Sequence, residues 1–279
     1  MKKITLIILG LFIVAVIIFL SCRKDPSKTN NITNSSKIIK LKSYWINPYD
    51  TIGQQHNEVL YAIGNMYGFP FITSTSIGEF GLNYLDSINN DSKDHELSYY
   101  DGIYDNMDKN QSLEDYANDL LNANKITTYQ FNYLSNLNDI IVSYIENNTY
   151  FNDHINDLET TLLSDTNILQ NDKYVIWGAL SIARYSGNFW HDARISDSNP
   201  WHVIVAQTKK EIRQEYTGSA CGEAWADTKG WIGGLFGTCT GKRGHCAKAA
   251  GQRASGRYVR DHTHCYDEND NEVPCPPES

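Results

Sequence analysis

The sequence predicts an all-α protein, a helical bundle of about six helices followed by a tail rich in glycine and cysteine. Three observations support this fold class. Apolar residues recur at helical spacing through residues 44–217, helix-start signals precede several of these stretches, and strand-like alternation is scarce. Composition changes in residues 218–279, which hold five of the six cysteines. We therefore predict a helical domain over 44–217 and a disulfide-stapled tail over 218–279.

The first 22 residues have the layout of an export signal. Two lysines precede an apolar run from Ile4 to Leu20, and Ser21 and Cys22 follow. This order resembles the lipobox of bacterial lipoproteins, although Phe19 stands where that class has Leu, Val or Ile. The resemblance implies that residues 1–21 are a cleaved signal peptide. It also implies that Cys22 carries acyl chains such as palmitate.

An uncleaved transmembrane anchor is the alternative interpretation. As a helix, the 17 residues from Ile4 to Leu20 would reach about 26 Å, which is short of the roughly 30 Å hydrocarbon core. We therefore favour a lipid anchor at Cys22, joined to the bundle by a polar, flexible tether over residues 22–43. Arg23, rather than aspartate, follows the cysteine, and in lipoproteins this favours the outer membrane over the inner one.

Three apolar stripes predict the first helices of the bundle. The first lies between Gln54 and Met66. The second follows Ser112, which begins a capping-box-like start, and the third follows Thr127 and Thr128. The apolar positions of these stripes are Val59, Leu60, Ile63, Leu113, Tyr116, Ala117, Leu120, Leu121, Phe131, Leu134, Leu137, Ile141, Tyr144 and Ile145.

The second half of the bundle is predicted in the same way. A further stripe is formed by Ile155, Leu158, Leu162 and Leu163, and a wide apolar arc over residues 173–191 predicts a central helix. Asn199 and Pro200 form a cap and first turn, so we expect a helix from Trp201 to Tyr216. The polar stretch 86–110 is predicted to be a long loop.

Two phrases resemble segments of uncharacterised helical bacterial envelope proteins. They are Ile52-Gly53-Gln54-Gln55-His56-Asn57 and Trp177-Gly178-Ala179-Leu180-Ser181-Ile182-Ala183-Arg184-Tyr185-Ser186. The resemblance implies a helical fold and brings no activity with it.

Charge is unevenly distributed along this acidic chain. Residues 44–200 hold 22 acidic and 6 basic side chains, whereas residues 201–260 hold 4 acidic and 10 basic ones. The two regions either have different partners or dock on each other. Nucleic acid is not expected as a partner of an acidic exported protein.

Small residues recur every fourth position in segment 226–241. On a helix, this spacing creates a groove that lets another backbone approach closely. The segment resembles the glycine-rich segments of bacteriocin-like peptides and glycine-zipper proteins. A helix end followed by a loop that packs on the body is the simpler interpretation. The small residues concerned are Ala226, Gly230, Gly233, Gly234, Gly237 and Gly241.

An odd number of cysteines remains once Cys22 is assigned to the lipid. Cys265 and Cys275 flank a hairpin-like turn, so we predict a bridge between them. Cys239 with Cys246 is the next candidate pair, which leaves Cys221 over. Cys221 could instead take either of those two partners, and the sequence does not decide the connectivity.

Two metal sites are weak hypotheses. His262, His264 and Cys265 could contribute to a zinc site, but no second pair of ligands completes it. Asp267, Asn269 and Asn271 have the spacing that begins a calcium loop without its glycine and glutamate, which favours a solvated turn. No metal and no other cofactor is expected.

Cys221 is the one candidate nucleophile. It lies between small residues and precedes several histidines, the order used by papain-like and cell-wall peptidases, although the spacing here is far shorter. His191 and His202 flank a turn beside Trp190 and Trp201. This arrangement indicates packing or capping, or the lining of a ligand pocket.

These observations favour a lipid-anchored envelope protein without enzymatic activity, in a binding or structural role. Its expected partners are the membrane, through the lipid anchor, and an envelope protein or ligand that the sequence does not identify. The alternatives are a membrane-active or toxin-like factor that uses segment 226–241, and a thiol hydrolase that uses Cys221.

Overall fold

The computed structural model describes residues 47–66, 111–145, 147–205, 213–216, 218–236, 243–266 and 272–273. These residues form a helical bundle, so the predicted all-α fold class is confirmed. A short antiparallel sheet accompanies the helices.

The described residues include seven helices of ten or more residues, one single-turn helix and three short strands. In chain order they are α1 (Thr51–Met66), α2 (Leu113–Asn122), α3 (Thr128–Tyr144), α4 (Asn148–Ser164), α5 (Gln170–Ile195), α6 (His202–Val205), β1 (Arg213–Tyr216), α7 (Ala220–Phe236), α8 (Arg243–Asp261), β2 (Thr263–Tyr266) and β3 (Glu272–Val273).

Side chains cap two of the predicted helix starts. The Ser112 hydroxyl accepts the backbone N–H of Asp115 at the start of α2. Thr127 and Gln130 form a reciprocal capping box at the start of α3. Each cap satisfies an N–H that the helix leaves without a partner, and such a cap contributes about 1 kcal/mol. Both starts are therefore confirmed as the sequence predicted them.

Helices α5 and α7 form the centre of the bundle. Helix α5 contacts α1, α3, α4, α6 and α7, and α7 contacts α2, α3, α5 and α8. In α7, 15 of 17 residues are buried, including Glu223, Asp227 and Lys229. The arc that predicted a central helix over 173–191 is thus confirmed. The segment predicted as a tail supplies a second central helix, within a compact unit that spans residues 45–279.

The small residues of α7 bring it close to α8. A Cβ atom added at Gly230 would lie 2.7 Å from the carbonyl oxygen of Ala250, and one added at Gly234 would lie 2.6 Å from Cα of Ala247. Real Cβ atoms do not approach so closely, so only glycine allows this contact. The spacing every four residues therefore serves a contact between two helices within the chain.

The predicted helix from Trp201 to Tyr216 is wrong at its C-terminal end. Arg213–Tyr216 form strand β1, which pairs antiparallel with β2, and β2 pairs in turn with β3. The physical reason is tertiary, because the pairing partner lies some fifty residues away in the chain. Strands β2 and β3 form the hairpin expected between Cys265 and Cys275, and Cys265 lies opposite Val273.

Several predictions fall outside the described residues. These are the signal peptide, the lipidated Cys22, the tether and the loop over 86–110. In the part of the chain that the structure describes, no helix combines the length and the apolar character needed to cross a membrane.

Gly234→Leu tests the contact between α7 and α8. Leucine favours a helix over glycine by up to about 1 kcal/mol. We expect steric overlap with Ala247 to outweigh that gain and to lower the free energy of unfolding by about 3 kcal/mol. Urea denaturation followed by circular dichroism measures this. Thr160→Leu, which places the same side chain on an exposed position of α4, is the matched control. Equal midpoints for the two variants would contradict the close packing.

Candidate functional site

A buried carboxylate, Asp227, lies where three helices meet. The Ser186 hydroxyl donates a hydrogen bond of 2.5 Å to Asp227 Oδ2, and Trp190 Nε1 donates one of 3.0 Å to the same oxygen. Asp227 Oδ1 lies 3.2 Å from His56 Nε2. Asp227, Ser186 and His56 are all fully buried. A single carboxylate therefore links α1, α5 and α7.

The His56 ring lies between two oxygen acceptors. Its Nδ1 is 3.2 Å from Asn57 Oδ1, and the Asn57 amide nitrogen donates to the Tyr185 carbonyl, which fixes the orientation of that amide. With Asp227 on the other side, both ring nitrogens lie near an oxygen atom. The contact between His56 Nε2 and Asp227 Oδ1 is close but lacks the direction of a linear hydrogen bond.

Serine, histidine and aspartate meet here without forming a catalytic triad. In a triad, the histidine accepts the proton of the serine hydroxyl and the aspartate holds the far side of the histidine. Here Ser186 donates to Asp227, and it uses the oxygen other than the one that faces His56. Nothing in this arrangement activates the hydroxyl as a nucleophile. The three groups instead join helices.

A second cluster is centred on Arg184 of α5. Its guanidinium bonds to Asp50 at 2.9 Å, to Asn156 at 2.9 Å and, through a short contact, to the buried Glu159. The side chain of Asn47 also donates to Glu159, at 2.7 Å. Burial raises the pKa of Glu159, and its bonds to Arg184 and Asn47 oppose that rise. The cluster ties α4 and the segment that leads into α1 to the middle of α5.

A third cluster surrounds the first turn of α7. Arg194 donates a 2.8 Å bond to the buried Glu223. Tyr258 of α8 packs on Gly222, and its hydroxyl lies 3.4 Å from the backbone nitrogen of Ser219, which donates to it. Burial, and next the negative charge of Glu223, raise the pKa of Tyr258 to about 12. This cluster fixes the start of α7 against both α5 and α8.

Of the five cysteines near the C-terminus, the structure describes the side chain of Cys221 alone. Cys221 is the second residue of α7 and is 1% exposed. It lies near Tyr258, whose ring stacks on His262 at 3.9 Å. The side chains of Cys239, Cys246, Cys265 and Cys275 lie outside the described ones, so both predicted bridges stay predictions.

The histidines of the zinc hypothesis occupy different local structures. His262 lies in the turn after α8, where its Nδ1 is 2.8 Å from the Tyr258 carbonyl, and His264 lies in β2. The two histidines therefore do not share one strand. The described residues contain no group of three metal-ligating side chains. His202 lies 2.8 Å from both Asp197 and the Ala193 carbonyl, consistent with the capping interpretation.

Of the glycine-zipper candidates, four lie in α7. Ala226, Gly230, Gly233 and Gly234 are all buried there, whereas Gly237 and Gly241 lie outside the described residues. Asp227, Ser186 and Arg184 are not among the site residues predicted from the sequence. The available signal was Asp227 itself, a carboxylate within a glycine-rich apolar segment.

The two phrases singled out in the sequence lie against each other. The Gly53 backbone nitrogen donates to the Ser181 hydroxyl at 2.9 Å, and the Asn57 amide donates to the Tyr185 carbonyl at 2.7 Å. Because Gly53 has no side chain, α1 approaches the backbone of α5 closely at this point. The phrases therefore form one helix contact, next to both the Asp227 and the Arg184 clusters.

Asp227→Asn tests the electrostatic part of the Asp227 cluster. The amide keeps the shape of the side chain but removes the charge that faces His56. We expect the free energy of unfolding to fall by about 2–3 kcal/mol, because Ser186 and Trp190 then donate to a neutral amide in place of a buried carboxylate. Urea denaturation measures the change. Asp157→Asn, the same exchange at an exposed position of α4, is the control. Equal stability of the two variants would show that the charge at position 227 contributes nothing.

Tyr258 predicts a loss of stability in alkali. Its pKa of about 12 in the folded protein lies above the value of about 10 for an unfolded chain. The unfolded chain therefore releases the proton first, and the free energy of unfolding falls between pH 10 and 12, by up to about 2 kcal/mol from this residue. In Tyr258→Phe, we expect a flatter decline of the melting temperature over that range. Tyr150→Phe, at an exposed tyrosine, should follow the wild type. A Tyr258→Phe curve parallel to the wild type would refute the assignment.

No model of a known family, no curated protein and no solved structure matches this chain. A function proposed for this chain therefore rests on its own sequence and on the three clusters described above.

Proposed function

We propose that the mature chain is a lipid-anchored cell-envelope protein whose bundle acts by binding or in envelope structure rather than by catalysis. The anchor is Cys22, and the proposed location is the outer membrane. The supporting sequence feature is the order of two lysines, the apolar run from Ile4 to Leu20, a small residue and a cysteine. Acyl chains on that cysteine would hold the chain at a membrane, since each buried methylene contributes about 0.8 kcal/mol.

The proposal of a non-catalytic role rests on the contacts that Asp227 makes. A serine, a histidine and a tryptophan converge on it at full burial, and each contact joins two helices. The Arg184 cluster uses its charges in the same way. Polar groups in these two clusters stabilise a particular packing of the bundle, which is a property that a rigid binding module needs.

A membrane-active role for segment 226–241 is less well supported. Gly230 and Gly234 already contact α8 through close backbone packing, and Glu223, Asp227 and Lys229 lie in the same helix. Insertion of this segment into a membrane would break its contacts with α8 and would place the charged side chains of α7 in lipid. Leakage of dye-loaded vesicles on addition of the folded protein is the result that would favour this role.

Labelling with radioactive palmitate tests the anchor. We expect the wild-type chain to incorporate label in cells and Cys22→Ser to lose it, because the Cys22 thiol is the proposed acceptor. Cys221→Ser is the matched control, since it removes a different cysteine and should label as the wild type does. Equal label in wild type and Cys22→Ser, or none in either, would overturn the proposal. A hydrolytic activity that Cys221→Ser abolishes in the folded protein would instead support the thiol hydrolase.

A further inference from the structure

Exposed apolar side chains lie at the end of the bundle where α3 begins, α4 ends and α5 begins. Leu169 is 74% exposed, Leu163 is 59% exposed and Tyr129 is 48% exposed. We name these three residues the apolar end patch. Large apolar side chains exposed together in this way mark contact surfaces more often than isolated ones do.

Hydrogen bonds hold together the helix ends that carry these three residues. Gln130, next to Tyr129, donates a 3.0 Å bond from its side chain to the Asp172 carbonyl in the first turn of α5. Lys173 donates 2.7 Å and 3.3 Å bonds to the carbonyls of Leu162 and Leu163 at the end of α4. These bonds link the start of α3 and the end of α4 to the first turn of α5, which begins directly after Leu169.

The chain enters the bundle beside this same end. Asn47 donates a 3.0 Å bond to the Trp177 carbonyl, and the ring of Tyr49 lies 4.8 Å from that of Tyr174. Tyr174 is five residues, or about 7.5 Å along the helix, from Leu169. Trp177 is eight residues, or about 12 Å, from Leu169, so the described chain begins, at Asn47, a little more than two turns along α5 from the patch.

Other exposed apolar residues lie toward the opposite end of α5. Ile195 is the last residue of α5, and the ring of Tyr61 packs on Phe189 at 4.9 Å. As α5 has 26 residues, the two ends are about 39 Å apart. Exposure alone does not distinguish the two ends. They differ in that the segment from the proposed anchor joins the bundle nearer to the apolar end patch than to Ile195.

We propose that the apolar end patch contacts the surface of the membrane that holds the lipid anchor. The inference rests on the proposed function. The 24 residues between Cys22 and Asn47 reach at most about 80 Å, so a contact between the bundle and the bilayer that holds Cys22 is effectively intramolecular. A shallow contact by a few side chains then suffices. Leucine enters the boundary of the acyl chains, and tyrosine suits the boundary with the headgroups.

The charges near the patch indicate which part of the lipid is recognised. Asp165 and Asp172 are balanced at this end by Lys125 and Lys173, so headgroup charge does not decide the contact. The apolar side chains carry the contact, which is accordingly insensitive to salt. The partner is the acyl boundary of the bilayer rather than a particular headgroup.

Tryptophan placed at the two ends of α5 tests the orientation. Leu169→Trp and Ile195→Trp exchange exposed apolar residues of the full, acylated chain, which is then incorporated into vesicles of phosphatidylethanolamine, phosphatidylglycerol and a brominated phosphatidylcholine. Bromine quenches tryptophan at the depth of the acyl chains. Relative to the wild-type background, we expect the added tryptophan at 169 to be quenched at least about twofold more than that at 195. Raising the salt concentration should leave this difference unchanged.

Each other outcome overturns the inference in a recognisable way. Equal or weaker quenching at position 169, in a chain whose intact mass shows the acyl chains, overturns the patch and leaves the anchor in place. A mass without acyl chains overturns the proposed function and the patch with it. A blue-shifted Leu169→Trp emission that depends on protein concentration without vesicles indicates a second copy of the chain as the partner.

Discussion

The fold depends on the burial of a charged helix at the centre of the bundle. Helix α7 is almost entirely enclosed, yet it carries Glu223, Asp227 and Lys229. A buried charge costs several kcal/mol unless it finds a partner, so each one restricts where neighbouring elements can lie. Arg194 donates a hydrogen bond to Glu223. Ser186 donates one to Asp227, which also lies close to His56. Lys229 donates one to the Gln111 carbonyl. These partners fix α7 in rotation and in register.

Close packing of the backbone makes that arrangement possible. Gly230 and Gly234 let α8 approach α7 on one side, and Gly178 of α5 leaves room for the ring of Trp231 on another. Glycine destabilises an isolated helix by up to about 1 kcal/mol per residue, so this helix depends on its neighbours for stability. The same composition that resembles a membrane-inserting segment thus has a use within a folded bundle.

The proposed anchor and the bundle lie in different parts of the chain. The proposed attachment is at Cys22, and the described bundle begins at Asn47. The Arg184 cluster lies next to the point of attachment, where it ties Asn47 and Asp50 to α4 and α5.

The sequence by itself determined α1 to α5, because apolar periodicity and caps such as Ser112 and Thr127 are local signals. The export signal that leads to Cys22 is a prediction from the sequence alone. Only the tertiary structure decided that α7 is central, that Arg213–Tyr216 form a strand, and that His56, Ser186 and Asp227 meet. These features depend on contacts between residues some forty to 170 positions apart, and no local pattern encodes which distant group will satisfy a buried charge.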